Sequence, residues 1–177
     1  GGLIGGIQWG SAADDKQIYV ALSDIGINTV QDADASGATG AMADSWANAL
    51  DGTVGGGMFA YDIETGERKW YVPPVGCDGR PKCSPAQSQA VSAIPGVVFS
   101  GSVDSHLRGY STDTGTVIWD YNADQEYDST NGVKTHGGSF DGPGPTIANG
   151  MVYVMSGYSF IGGQGGNALM AFSVNGE

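Results

Sequence analysis

Positive charge is scarce in this 177-residue chain: seven Lys and Arg stand against 19 Asp and Glu, a net charge of −12. Neutralising a phosphate backbone or an anionic lipid surface takes clustered cations, so neither nucleic acid nor an anionic membrane is an expected partner. Long apolar runs are missing too. No stretch approaches the roughly 20 residues of a membrane-spanning helix, so no membrane span is expected. The chain shows no signal peptide and opens on Gly1 rather than methionine, which fits a mature product or a piece of a longer polypeptide. Histidine and cysteine number only two each. Zinc is not expected, because Cys77 and Cys83 are two ligands with no histidine close in sequence. These cysteines frame Gly-Cys-Asp-Gly-Arg-Pro-Lys-Cys-Ser-Pro, where Gly79 and Pro81 help the chain turn back. A Cys77–Cys83 disulfide is the expected use of the pair, with two free thiols as the alternative. A bridge implies an oxidising compartment, so a periplasmic or secreted protein.

Glycine, by contrast, is abundant at 31 residues, and it punctuates short aromatic and β-branched runs. That pattern predicts an all-β protein with one substantial core. A repeat organises the chain. Residues 60–70 read Ala-Tyr-Asp-Ile-Glu-Thr-Gly-Glu-Arg-Lys-Trp, and residues 109–119 read Gly-Tyr-Ser-Thr-Asp-Thr-Gly-Thr-Val-Ile-Trp, 49 positions later. A third, truncated copy begins at Ala171-Phe172-Ser173. Each copy follows a strand-like run (Ile18–Ala21, Val97–Gly101, Met151–Val154), and each run follows a short segment fit for an inner strand (10–12, 91–93, 144–146). Four antiparallel strands repeating at this period predict β-propeller blades. The Thr-Gly step is expected to form a two-residue hairpin in which glycine supplies a positive φ. Trp70 and Trp119 are expected to dock between blades as scaffold.

The units span about 1–75, 86–121 and 141–177, with a long insertion at 24–57 and a second at 122–143. Loops of that length are usually functional or flexible. Three units, the last without its outer strand, fall short of the about four to eight blades of a closed propeller and leave strand edges open. Either the remaining blades of a larger propeller or a second chain is expected to complete the ring, and the first is favoured.

Residues 60–70 fit Ala-x-Asp-x-x-Thr-Gly-x-x-x-Trp at every fixed position, while residues 109–119 depart from it at Gly109 and Ser111. This repeat resembles the tryptophan-docking motif of the pyrroloquinoline-quinone (PQQ) dependent quinoprotein alcohol dehydrogenases. Residues 6–11, 93–102, 141–145, 156–158 and 167–174 resemble the C-terminal part of the polyvinyl-alcohol dehydrogenases in that family. The resemblance covers nearly the whole chain outside 24–57. It implies part of an eight-bladed periplasmic propeller that holds PQQ and calcium. Such an enzyme oxidises polyvinyl alcohol or a similar secondary alcohol and passes electrons to cytochrome c. The adjacent cysteine pair of many methanol dehydrogenases is absent, as is the haem motif Cys-x-x-Cys-His. Metal ligands and the catalytic base of the family generally lie in earlier blades, so none is assigned. The alternative is a non-catalytic propeller scaffold or binding module of the bacterial envelope. A polymer-binding surface formed by exposed Tyr127, Tyr158 and Phe160 is a third reading.

Four residues are candidates for the cofactor. Gln8 and Trp9 precede an innermost strand near the expected central channel, where the indole can lie against a planar quinone. The plainer reading of Trp9 is another core tryptophan. Lys134 and His136 precede Gly137-Gly138 ahead of the third inner strand, and cations there suit the three carboxylates of PQQ. Their plainer reading is solvated loop charge. Asp141 near the same mouth reads as base or metal ligand, or more blandly as the Asp of an Asp-Gly turn. Arg108 and His106 read as surface. Asp32-Ala33-Asp34-Ala35-Ser36-Gly37 mimics the start of a calcium loop, but the twelfth position is Ala43, and a flexible acidic insertion is the default.

Overall fold

A computed structural model describes residues 5–28, 49–158 and 162–174. The Asp32–Gly37 stretch and Phe160 lie outside the described residues. The first sheet contains β1 (Ala12–Ala13), β2 (Gln17–Leu22), β3 (Gly57–Asp62) and β4 (Arg68–Val72), paired in that order and antiparallel throughout. The second repeats this arrangement with β5 (Ser92–Ile94), β6 (Val97–Gly101), β7 (His106–Ser111) and β8 (Val117–Asn122). A small hairpin follows, β9 (Glu126–Asp128) with β10 (Lys134–His136). The third sheet has three strands, β11 (Thr146–Ala148), β12 (Met151–Ser156) and β13 (Ala168–Ser173). These are consecutive blades of a partial propeller, the third without a fourth strand among the described residues.

The core lies between blades rather than within one. Tyr19, Ala21, Met58, Ala60 and Trp70 of the first pack on Val91, Val98 and Tyr110 of the second. Leu107 of the second packs with Val154, Ala168 and Met170 of the third, with Ala123 and Phe140 of the intervening link between them. A middle blade is therefore covered on both faces, which is why β6 is buried at successive positions instead of alternating.

Trp70 is the clearest inter-blade anchor. Its indole N–H donates to the Thr112 carbonyl at 2.8 Å, and a Cβ on Gly115 would stand 2.8 Å from its ring. Trp119 is half-buried and meets Phe99 and Phe172 edge-on, at ring-centroid distances of 6.2 and 5.1 Å.

The Thr-Gly hairpins are wider than the two residues expected. Asp62 N–H donates to Glu67 O and Gly66 N–H to Asp62 O, both at 2.9 Å, so the loop holds residues 63–66. The Asp62 carboxylate accepts from the Glu64 and Thr65 amides at 3.0 and 2.9 Å, which winds the broader turn. Residues 112–115 form the same loop in the second blade. Glycine still closes each one, at φ +72° for Gly66 and +74° for Gly115.

Antiparallel order fixes which loops share an end of the blades. Residues 14–16 and 63–67 turn at one end. The insertion after β2, the disulfide loop after β4, the turn after β6, the β9–β10 hairpin and the connection after β12 all lie at the other. The two described ends of the insertion meet at an Ile27–Leu50 bridge, above a small core of Ile25, Leu50, Ala86 and Val103.

Candidate functional site

Three segments lead into the innermost strands: Gln8-Trp9-Gly10 before β1, Ser88-Gln89-Ala90 before β5, and Asp141-Gly142 before β11. Backbone bonds stitch them together. Val91 N–H donates to Gly10 O, Ala90 N–H to Gly142 O, and Gly142 N–H to Ser88 O, each at 2.9 Å. Glycine permits this closeness, since a Cβ on Gly144 would stand 2.4 Å from the Ala90 carbonyl oxygen.

The side chains converge as well. The buried Ser88 hydroxyl lies 2.9 Å from Asp141 Oδ1 and 3.1 Å from Gln8 Oε1, sharing its one proton between two acceptors. Asp141 is itself buried. Gln89 beside it is buried with neither amide atom hydrogen-bonded. Gly142 sits at φ +78° and offers no side chain. The Trp9 and Tyr158 rings come within 4.0 and 3.7 Å of where its Cβ would stand. Trp9 is 39% and Tyr158 51% exposed, so two open rings flank a polar floor. Such a site can seat a flat or chain-like ligand against ring faces and offer it hydrogen bonds at an edge.

Gln8 and Trp9 are thus brought together with Asp141. Trp9 is not the buried core tryptophan of its plainer reading. Lys134 and His136 lie on β10 instead, paired with Asp128 and Glu126 of β9. Lys134 is exposed. His136 Nδ1 bonds the Gly137 carbonyl, its Nε2 stands 3.8 Å from Asp124, and its backbone N–H donates to Asn167 Oδ1 at 3.0 Å. These contacts tie it to the hairpin and to the connection after β12.

Arg108 is a correction: it is buried, not surface. Its guanidinium donates to Asp104 at 2.7 Å, to Ser102 at 3.1 Å and to Asp120 at 3.2 Å. Along β7 it shares the face of Tyr110, which is covered by the first blade. Burial pulls the Arg108 pKa down, but Asp104 outweighs it and leaves the group above its ordinary value. His106 is partly buried and bonds Asp120 through Nδ1 at 2.6 Å. The signal for this network is the Asp104 to Arg108 spacing across a tight turn. Tyr127 is also corrected. It is half-buried against the second core, with its hydroxyl 3.1 Å from that of Tyr121, rather than exposed. Cys77 and Cys83 form the expected disulfide.

No family model matches the sequence. Solved structures share the fold at low identity, two of them as follows. The quinohemoprotein alcohol dehydrogenase from Comamonas testosteroni superposes with a TM-score of 0.53 and 18% identity, over 97% of this chain and 20% of that one. BamB from Moraxella catarrhalis gives 0.52 and 15%, over 94% and 37%. The chain is therefore a partial β-propeller of the architecture these proteins share. Its sequence is, over the full length, similar to two curated polyvinylalcohol dehydrogenases. It is 40% identical over 191 aligned positions to the polyvinylalcohol dehydrogenase of Sphingopyxis sp. (strain 113P3), and 38% identical to that of a Pseudomonas sp.. Each match covers the whole chain and 26% of the relative, so the chain spans about a quarter of the length of these curated relatives.

Proposed function

We propose that the chain forms part of a PQQ-dependent dehydrogenase. Its substrate is polyvinyl alcohol or a similar secondary alcohol, and its electrons pass to cytochrome c. The observation that carries this reading is the 40% identity across the entire chain, which includes all three segments of the channel-mouth site. The site suits the cofactor's shape: the half-exposed Trp9 ring offers a face, and Gly142 leaves room above the floor. When bound, PQQ supplies a quinone that accepts a hydride and releases electrons singly. In this reading Trp9 stacks on the ring and Gln8 hydrogen-bonds its edge. Lys134 adds positive charge at the loop-bearing end, and His136 lies two residues along β10 from it. Among the described residues no group of three or more His, Cys, Asp or Glu stands together. Calcium ligands are assigned to earlier blades, as the family resemblance implies. The disulfide supports a periplasmic or secreted location.

The test is titration of the purified chain with PQQ in calcium buffer, followed by tryptophan fluorescence. Saturable quenching that Trp9→Ala weakens is the expected result. Quenching indifferent to Trp9→Ala, or none, would remove Trp9 from the cofactor site.

A further inference from the structure

The loop-bearing end of the blades carries a cleft that shares no residue with the channel-mouth site. Its volume is about 560 Å³, and it opens between the base of the insertion and the disulfide loop. Asn28, Asp51 and Thr53 line one wall; Asp78, Arg80 and Lys82 line the other. The two walls are fastened to each other. Cys77 N–H donates to the Gly52 carbonyl at 2.9 Å, and a Cβ on Gly52 would stand 2.9 Å from Cys77 Cβ, so only glycine lets the segments come this close. The Cys77–Cys83 bridge closes the second wall into a ring of its own. Within it the Arg80 amide and Nε donate to the Cys77 carbonyl at 3.0 and 3.3 Å, and Nη1 donates to the Asp104 carbonyl at 3.3 Å. Asp78 and Lys82 are held at φ +51° and +54°, backbone that residues with side chains seldom adopt. Such positions persist where the surrounding structure over-determines them, and they gather at ligand clamps.

The lining is balanced in charge, two carboxylates against two cations, so neither a polyanion nor a polycation gains net attraction there. It offers interspersed donors and acceptors instead. Lys82 and further N–H groups of Arg80 can donate, Asp51 and Asp78 accept, and the Asn28 amide does both. Asp51 spends Oδ1 on the Thr53 amide and hydroxyl, at 2.9 and 2.6 Å, and keeps Oδ2 for a ligand. Leu50 and Pro81 add apolar surface. This mixture fits a neutral aliphatic chain that bears hydroxyls at intervals, each of them donor and acceptor at once. The position fits as well. β1 runs into the 14–16 turn at the opposite end, so Gln8-Trp9-Gly10 ahead of it share the loop-bearing end with this cleft. The backbone from Lys82 to Ser88 spans at most about 21 Å. A small alcohol cannot touch both places, whereas a polymer chain can.

We propose that this cleft is a subsite for a polymeric substrate, holding a stretch of neutral polyhydroxy chain while another stretch reaches the channel mouth. The proposal rests on the reading of the chain as part of an enzyme that oxidises polyvinyl alcohol. A chain seated in both places binds as a bivalent ligand, and its first contact raises the local concentration for its second. The cleft thereby selects for length, because a short alcohol gains nothing from it.

The test titrates the purified chain, without PQQ, with polyvinyl alcohol of defined length and with pentane-2,4-diol, read by calorimetry. The polymer is expected to bind about a hundredfold more tightly than the diol, or better. Asn28→Ala combined with Asp78→Gly is expected to weaken polymer binding about tenfold or more, since both changes remove hydrogen-bonding groups and glycine tolerates the positive φ at 78. Both side chains are exposed, so the unfolding midpoint is not expected to fall. Poly(ethylene glycol), with ether oxygens in place of hydroxyls along its chain, is expected not to bind. PQQ quenching of the same double variant is expected to match the wild type. Absence of polymer binding would overturn the subsite whether or not PQQ quenches. So would polymer binding that is indifferent to the double variant or equalled by poly(ethylene glycol). Polymer binding that the double variant weakens, in a chain that PQQ does not quench, would uphold the subsite and remove only the cofactor reading.

Discussion

Gly115 and Gly66 have the same backbone and differ only in what sits on them, so they separate strain from packing at single positions. Alanine at Gly66 meets open space and costs only the left-handed strain, about 1 kcal/mol. Alanine at Gly115 adds a clash with the Trp70 ring and loosens the indole bond to Thr112. A total of about 2–4 kcal/mol is expected. Urea denaturation of both variants checks this, and equal midpoints would show that Trp70 contributes little to holding the blades together. The role of Trp70 was legible in the sequence, because a large ring recurring at a fixed place in a repeat has few uses other than docking. The burial of Arg108 was not. Alternation along β7 tells which residues share a face, but only the stacking of blades tells whether that face meets water. Buried with Asp104 in direct contact, Arg108 ties the turn after β6 to β7 and β8.

At the scale of elements, the tight turns are held by carboxylates, and this sets an acid limit on stability. The Tyr19 hydroxyl holds the Asp14 carboxyl below its ordinary pKa, the Thr53 hydroxyl and amide do so for Asp51, and the Thr65 amide and hydroxyl for Asp62. A depressed folded-state pKa stabilises the fold above the unfolded value, near 4, and the contribution disappears as pH falls through the folded value. The urea midpoint is therefore expected to hold level from about pH 7 to 5 and drop below about 4, with Asp62→Asn reducing the drop. A flat acid limb in the wild type would count against these turns. The opposite sign applies to Tyr110, which burial pushes up to about 12; its contribution is present below about 10 and lost as pH rises toward 12. The disulfide closes a short loop, so reduction is expected to cost about 2 kcal/mol. Intact-mass analysis after alkylation without reductant should show no added groups; uptake of two would refute the bridge. The β9–β10 hairpin went unread because its strands are three residues long and occur once. Strands equally short, β5 and β11, were legible only through repetition.

At the scale of the whole molecule, the repeat showed the blades and also their shortfall, and the same logic explains why the site was half-legible. That Gln8 and Trp9 stand beside an inner strand was legible from the repeat, because they directly precede its first copy. Their partners Ser88 and Asp141 are 80 and 133 positions from Gln8, a juxtaposition that depends on how successive blades rotate. That rotation carries a functional consequence. A ring site at the axis is assembled from all blades, and these three contribute an aromatic platform and hydrogen-bonding groups but no carboxylate cluster among the described residues. The chain also spans only about a quarter of its curated relatives. We therefore expect the isolated chain to show little or no alcohol-dependent dye reduction, even with PQQ and calcium supplied. The complex with the remaining part of the Sphingopyxis relative is expected to gain it. Robust dye reduction by the purified chain alone would mean that the metal ligands and the base lie within these 177 residues, and the assignment of the calcium site to other blades would fall.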